Sequence, residues 1–313
     1  MAPFYFSSAT RPSQQLSRDA PSVIKARIQS VVLSSIICSA VTFFILSFDK
    51  NGTALRALHN LGYFPIGLVD TAKSLTLLAI LFLGPLYEAG VVEGSWRDWI
   101  RLRGFRELLG SWIGYRNLVA VWSPSALYVS ITNRVQGPVT EEVLFRSAAV
   151  PLFILSRASL STIIFGTPVI FGLAHIHHFY EFRITHPHTP LIGAVIRSVF
   201  QFSFTTLFGS FATFLFLRTG SLLAVCLAHA FCNWMGLPRV WGRVGGLETL
   251  VGPEMGDDRG KRNDDGAVLR VSQGRLAVGW TVLYYVLLVT GAVGFYKCLW
   301  VLTESESALV AFQ

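Results

Sequence analysis

Apolar residues fall in long runs that do not alternate with polar ones, and shorter polar stretches separate them. A helix that crosses a bilayer needs about 20 mostly apolar residues, whereas transmembrane strands read as alternating segments of ~10. The pattern therefore predicts spanning helices. The first is "VVLSSIICSAVTFFILSF" (31–48), with Lys25 and Arg27 at its entrance, and the second is "AKSLTLLAILFLGPLYEAGVV" (72–92). "NLVAVWSPSALYVSIT" (117–132) is a short third. The next helix begins near Pro138, a residue suited to a first helical turn, and runs to about Leu155. "LSTIIFGTPVIFGLAHIHHFY" (160–180) follows, with Pro168 predicting a kink. The stretch 191–217 holds one or two segments, 221–237 another, and 278–300 the last. The expected fold is all-α, a polytopic membrane protein with seven or eight transmembrane helices in one domain.

The polar stretches set the remaining organisation. Residues 1–22 read as a disordered tail, 23–302 as a single helical membrane domain and 303–313 as a C-terminal tail. Residues 95–116 set Trp, Ile, Leu and Phe among arginines at helical spacing, the pattern of an amphipathic helix lying in the membrane interface. The Gly-rich polar stretch 238–277, with "GDDRGKRNDDG" at its centre, reads as a flexible loop. Positive charge is denser before the first span and in the 93–116 loop than in the 49–70 loop, which favours a cytosolic N-terminus. The first thirty residues lack the compact apolar region of a cleaved signal peptide, so the first span is expected to stay. "NGT" (51–53) matches a glycosylation sequon, for which chance is a sufficient explanation.

Composition agrees with this class. Hydrophobic residues make up 52% of the 313-residue chain and charged residues 14%, against about 25% in soluble domains. Mean hydropathy is +0.52. The net charge of +8 is spread over many short loops. It suits a membrane protein and shows no basic stripe interleaved with aromatics, so nucleic acid is not an expected partner. The four cysteines, Cys38, Cys226, Cys232 and Cys298, lie in apolar segments without a CxxC pair and read as small buried hydrophobes.

Ionisable groups at membrane depth are costly and mark function by default. Three clusters qualify. In "EEVLFR" (141–146), Glu142 and Arg146 are four apart on one helix face in the favourable order, a structural ion pair. Glu141 is rotated about 100° from Glu142 on that helix. It has no i+4 cation, because position 145 is Phe. A carboxylate in apolar surroundings is a stronger base and can take a proton from water. In "FGLAHIHHF" (171–179), Phe171 and His175 share a face, and His178 lies a turn on. Three histidines in four positions raise metal binding, but the His-Glu-x-x-His spacing is absent and His175 with His178 is a weak ligand pair. In "HAFCN" (229–233), His229 and Asn233 share a face and can donate hydrogen bonds, either as an interhelical clasp or to an oxyanion. Together these clusters supply a base, an orienting group and two oxyanion donors. No GxSxG motif supplies a serine nucleophile, so water is the natural one.

The three motifs, in this order on membrane helices, resemble the type II CAAX prenyl endopeptidases, the Rce1 family, and in particular its eukaryotic members. EEVLFR matches E-E-x-x-x-R, FGLAH matches F-x-x-x-H and HAFCN matches H-x-x-x-N, within a motif-bearing core at 115–237. The resemblance implies a multi-pass enzyme of the endoplasmic reticulum membrane. It would remove the last three residues from farnesylated or geranylgeranylated CaaX proteins of the small-GTPase type. It implies that Glu141 and His175 activate water, that His229 and Asn233 stabilise the oxyanion, and that Glu142, Arg146 and Phe171 support them. It implies no cofactor and no metal, which the motifs alone do not exclude. His177, His178 and the 238–277 loop are left unexplained. The Phe-rich stretch "FQFSFTTLFGSFATFLF" is a candidate wall for the prenyl chain, although core packing also accounts for it. Two other classes use the same residues: a transporter or channel, against which no repeat symmetry is seen, and a non-catalytic family member acting as a membrane scaffold.

Overall fold

The computed structural model describes residues 21–50, 52–101, 137–174, 176–245 and 276–312. Among these, all regular structure is helical. The helices are α1 (Pro21–Ser47), α2 (Ala54–Asn60), α3 (Leu68–Leu81), α4 (Leu83–Tyr87), α5 (Trp96–Ile100), α6 (Gly137–Glu142) and α7 (Val150–Leu155). They continue with α8 (Thr167–Ala174), α9 (His177–Thr185), α10 (Leu191–Thr219), α11 (Leu222–Met235) and α12 (Val278–Leu302). Three π-helical turns interrupt the series, at Glu88–Val92, Val143–Ala148 and Thr162–Gly166.

Three helices among the described residues are long and apolar enough to cross a membrane: Gln29–Ser47 within α1, α10 and α12. A fourth is possible if Leu68–Leu81 and Leu83–Val92 form one broken span. The expected span 72–92 is therefore not straight; its halves meet at 81°. Pro85 accounts for the break, because its ring clashes with the carbonyl four residues back, at Leu81, and it offers no N–H to it. The other expected spans fall on shorter helices, Thr162–Leu173 and Leu222–Met235, and on the segmented α6–α7 pair. The expected span 117–132, most of the amphipathic stretch 95–116, most of the loop 238–277 and the tail 1–20 lie outside the described residues. The stretch 191–217 forms one helix of 29 residues. Pro168 sits in the first turn of α8, directly after the π turn Thr162–Gly166, where the widened helix accommodates its missing N–H.

The core centres on α10 and α11. Leu215, Phe216, Leu217, Val225 and Ala228 are buried there with Leu78 of α3 and Val150 of α7. α8 packs along α10, α11 against α3 and α6, and α12 against α3 and α4. Polar clasps fix the register. Thr42 of α1 donates to the Ala148 carbonyl (3.0 Å), and Ser147 donates to the Leu61 carbonyl (2.6 Å). α11 starts at Ser221, whose hydroxyl accepts from the Ala224 N–H (3.1 Å) and donates to the Ile66 carbonyl (2.7 Å). One residue thus caps the helix and ties it to the loop before α3. At the adjoining C-terminal end of α10, Arg218 donates to the Trp300 carbonyl (2.8 Å), and Leu309 N–H donates to the Leu217 carbonyl (2.9 Å). Residues 303–312 therefore pack back onto the bundle.

Candidate active site

Glu141 and Glu142 end α6, directly before the π turn Val143–Ala148 that carries Arg146. The i,i+4 pair expected from spacing is present: Arg146 Nη1 donates to Glu142 Oε1 at 3.1 Å, with both side chains buried (1% and 0% exposed). Glu142 also reaches another helix, where its Oε1 lies 2.6 Å from His229 Nδ1 on α11. One carboxylate oxygen therefore receives both a guanidinium and an imidazole N–H. Its other oxygen, Oε2, is buried without a hydrogen-bond partner among the described residues. A buried carboxylate in this state depends on its cation, since desolvation is offset only by close pairing.

Arg146 is held on three sides. Its Nη2 donates to the Gly209 carbonyl of α10 (3.3 Å), and its guanidinium carbon lies 4.6 Å from the Phe171 ring centroid on α8. Phe145 in turn meets Phe171 edge-to-face at 5.0 Å. Gly209 permits this approach: an added Cβ there would lie 2.9 Å from Pro168 Cβ, 3.1 Å from Arg146 Nη2 and 3.2 Å from Phe171 Cδ1. Gly209→Ala is expected to cost ~1–3 kcal/mol through overpacking. It should lower the melting temperature in detergent and reduce turnover together, because the displaced group is the cation that neutralises Glu142.

His229 lies between the two glutamates. With Nδ1–H donating to Glu142, Nε2 turns toward Glu141, whose Oε2 is 3.9 Å away. Phe208 of α10 covers the imidazole at a centroid distance of 4.6 Å. Glu141 is 30% exposed, unlike its neighbour. The helical spacing showed no cation on Glu141's own face; the nearby imidazole comes from another helix. Asn233 is half-buried one turn beyond His229 on α11. Among the described residues no hydrogen bond to its side chain is formed, so the interhelical clasp considered from sequence is present at His229, through Glu142, and not at Asn233. His175 lies outside the described residues, and His177 and His178 open α9.

The structure thus brings Glu141, Glu142, Arg146, Phe171 and His229 together, with Asn233 a turn away. Two further residues, Phe208 and Gly209, were not singled out from sequence. Their signal is a Phe-Gly pair in the middle of a long apolar helix, where glycine marks close approach. Chemically, the cluster offers an accessible carboxylate beside an imidazole whose orientation is fixed by a second, neutralised carboxylate.

Comparison with known proteins places the chain in a family. A family model described as "Type II CAAX prenyl endopeptidase Rce1-like" matches residues 120–235, the segment that holds every one of these groups. The chain is similar to "Probable CAAX prenyl protease 2" of Schizosaccharomyces pombe, 38% identical over 77% of this chain and 78% of that protein. It is also similar to "CAAX prenyl protease 2" of Homo sapiens, 34% identical over 72% of this chain and 65% of that protein. The protein of the same name in Arabidopsis thaliana is 44% identical over 41% of each chain. No solved structure matches. With the family model matched over 120–235 and relatives aligned along most of its length, this chain belongs to the type II CAAX prenyl endopeptidases, a family of membrane-embedded peptide hydrolases.

Proposed function

We propose that the chain cleaves prenylated CaaX proteins by activating a water molecule with Glu141 and His175, and that His229 and Asn233 stabilise the oxyanion. The supporting observation is the His229 imidazole set between two glutamates, its Nδ1 2.6 Å from Glu142 and its Nε2 3.9 Å from Glu141. Glu141 takes the proton as the water oxygen bonds to the carbonyl carbon of the prenylated cysteine. The carbonyl oxygen becomes an oxyanion. The Nε2–H of a protonated His229 and the Asn233 amide donate to it, and Glu142 with Arg146 keeps the imidazole turned toward the site. The C–N bond then breaks, the proton passes from Glu141 to the leaving amine, and the aaX tripeptide departs. Donors of this type must meet charge that develops only in the transition state.

The substrate carries its lipid in the bilayer, so the enzyme must open toward lipid. On α10, Phe200, Phe204 and Leu207 point outward and are 51%, 43% and 71% exposed. They are suited to line the path of a farnesyl or geranylgeranyl chain. The substrates are proteins of the small-GTPase type, and the enzyme resides in the endoplasmic reticulum membrane. Its seven or eight membrane helices include the short and segmented ones.

Two experiments test the chemistry. Asn233→Ala is expected to lower kcat ~10²–10³-fold with little change in KM, the cost of one oxyanion donor. A loss confined to melting temperature, with normal kcat per folded molecule, contradicts the oxyanion role. Second, strong chelators are expected to leave the activity of the purified enzyme intact. Inactivation reversed by added zinc would replace direct activation by Glu141 and His175 with metal chemistry.

A further inference from the structure

Charges of both signs meet where α1 and α7 end beside α2, at the far end of the α6–α7 segment from Glu141. A cavity of about 380 Å³ lies there, with Leu46, Pro151 and Ile154 among its apolar walls and Asp49, Arg56 and Arg157 among its polar ones. This volume is within the ~300–1,000 Å³ usual for small-ligand sites. The spanning part of α1 ends at Ser47, so Asp49 follows immediately at headgroup depth. Arg56 also lines a second cavity of about 460 Å³, whose walls include Leu55, Phe64 and Pro65. A polar chamber and an apolar one thus share an arginine.

Asp49, Arg56 and Arg157 are all exposed, and one backbone detail sets the place apart. Among the described residues no ion pair joins Asp49 to Arg157, although both line one cavity. Arg157 also has φ 58°, and it is the one non-glycine residue in the left-handed region among the described residues. It follows the C-cap of α7, where glycine is the residue that adopts this conformation without strain. Arginine at this position carries backbone strain, and such outliers point toward function.

We propose that this cavity binds the headgroup of a phospholipid that carries a primary ammonium as well as its phosphate. Arg56 and Arg157 take the phosphate, since guanidinium groups match its oxygens. Asp49 takes the ammonium, and the acyl chains follow the apolar walls. A free phosphate would leave both Asp49 and those walls unused.

The test is native mass spectrometry of the purified full chain in detergent, with phosphatidylethanolamine, phosphatidylcholine and phosphatidylglycerol of identical acyl chains added in equal amounts. The ethanolamine lipid is expected to be retained about 2–5-fold over the other two, the scale of one exposed ion pair. Asp49→Asn should remove that preference while phosphate-dependent retention persists. Arg157→Gly should weaken retention of all three lipids and raise the melting temperature, because glycine relieves the strained φ. The opposite signs show that lost binding is not lost folding. Equal retention of the three lipids by the unmodified chain, an ethanolamine preference that survives Asp49→Asn, or full retention in Arg157→Gly would overturn the proposal.

Discussion

Glu141→Ala protein is expected to fold as the parent does and to turn over ~10²–10⁴ times more slowly, the contribution of a positioned general base. Glu141 is 30% exposed, so its truncation leaves no buried cavity. The ion pair that braces the site, Glu142 with Arg146, does not involve it. Stability should therefore fall far less than on loss of Glu142. Glu141→Gln should be equally inactive, because an amide keeps the shape and loses the basicity. Tripeptide release per folded molecule, measured beside the melting temperature, gives both numbers. Substantial turnover in either variant would remove Glu141 from the role of base.

Glu142→Ala is expected to fail in a different way. Among the described residues, its removal leaves Arg146 buried with only the Gly209 carbonyl and the Phe171 ring, neither of which carries a negative charge. Breaking one partner out of a buried ion pair costs ~3–5 kcal/mol. His229 loses the acceptor at Nδ1 in the same step, and with it the constraint that turns Nε2 toward Glu141. The protein should melt at a markedly lower temperature, and the folded fraction should also be slow. Glu142→Gln should recover part of the stability, because an amide oxygen still accepts from Arg146 and His229 but does not neutralise the guanidinium. A Glu142→Ala protein with the parent's melting temperature would contradict the buried network.

These two outcomes differ because adjacent glutamates face different surroundings, and only part of that difference can be read along the chain. Four-residue spacing pairs Glu142 with Arg146 and leaves Glu141 without a cation on its own face. Spacing does not reveal that α11 inserts His229 between the two carboxylates, since contacts between helices leave no periodicity in either one. The three π turns are likewise invisible locally: "VLFRSA" and "TIIFG" read as ordinary apolar helix. The bend of 81° after Leu81 was available in principle, because Pro85 sits where a continuous helix would need its N–H. Gly209 is legible as a glycine in an apolar helix, but the carbonyl it offers to Arg146 is a property of tertiary packing. The same holds for Phe208: many phenylalanines share that stretch, and the structure sets this one against the His229 imidazole.

The central claim is that this chain itself hydrolyses prenylated CaaX ends in the membrane. It is tested most directly by incubating the purified chain, in lipid nanodiscs, with a farnesylated CaaX peptide and its unprenylated counterpart, and identifying the products by mass spectrometry. The account predicts release of the intact aaX tripeptide from the farnesylated peptide and far slower release from the unprenylated one. No tripeptide from folded protein, or equal cleavage of both peptides, would contradict it.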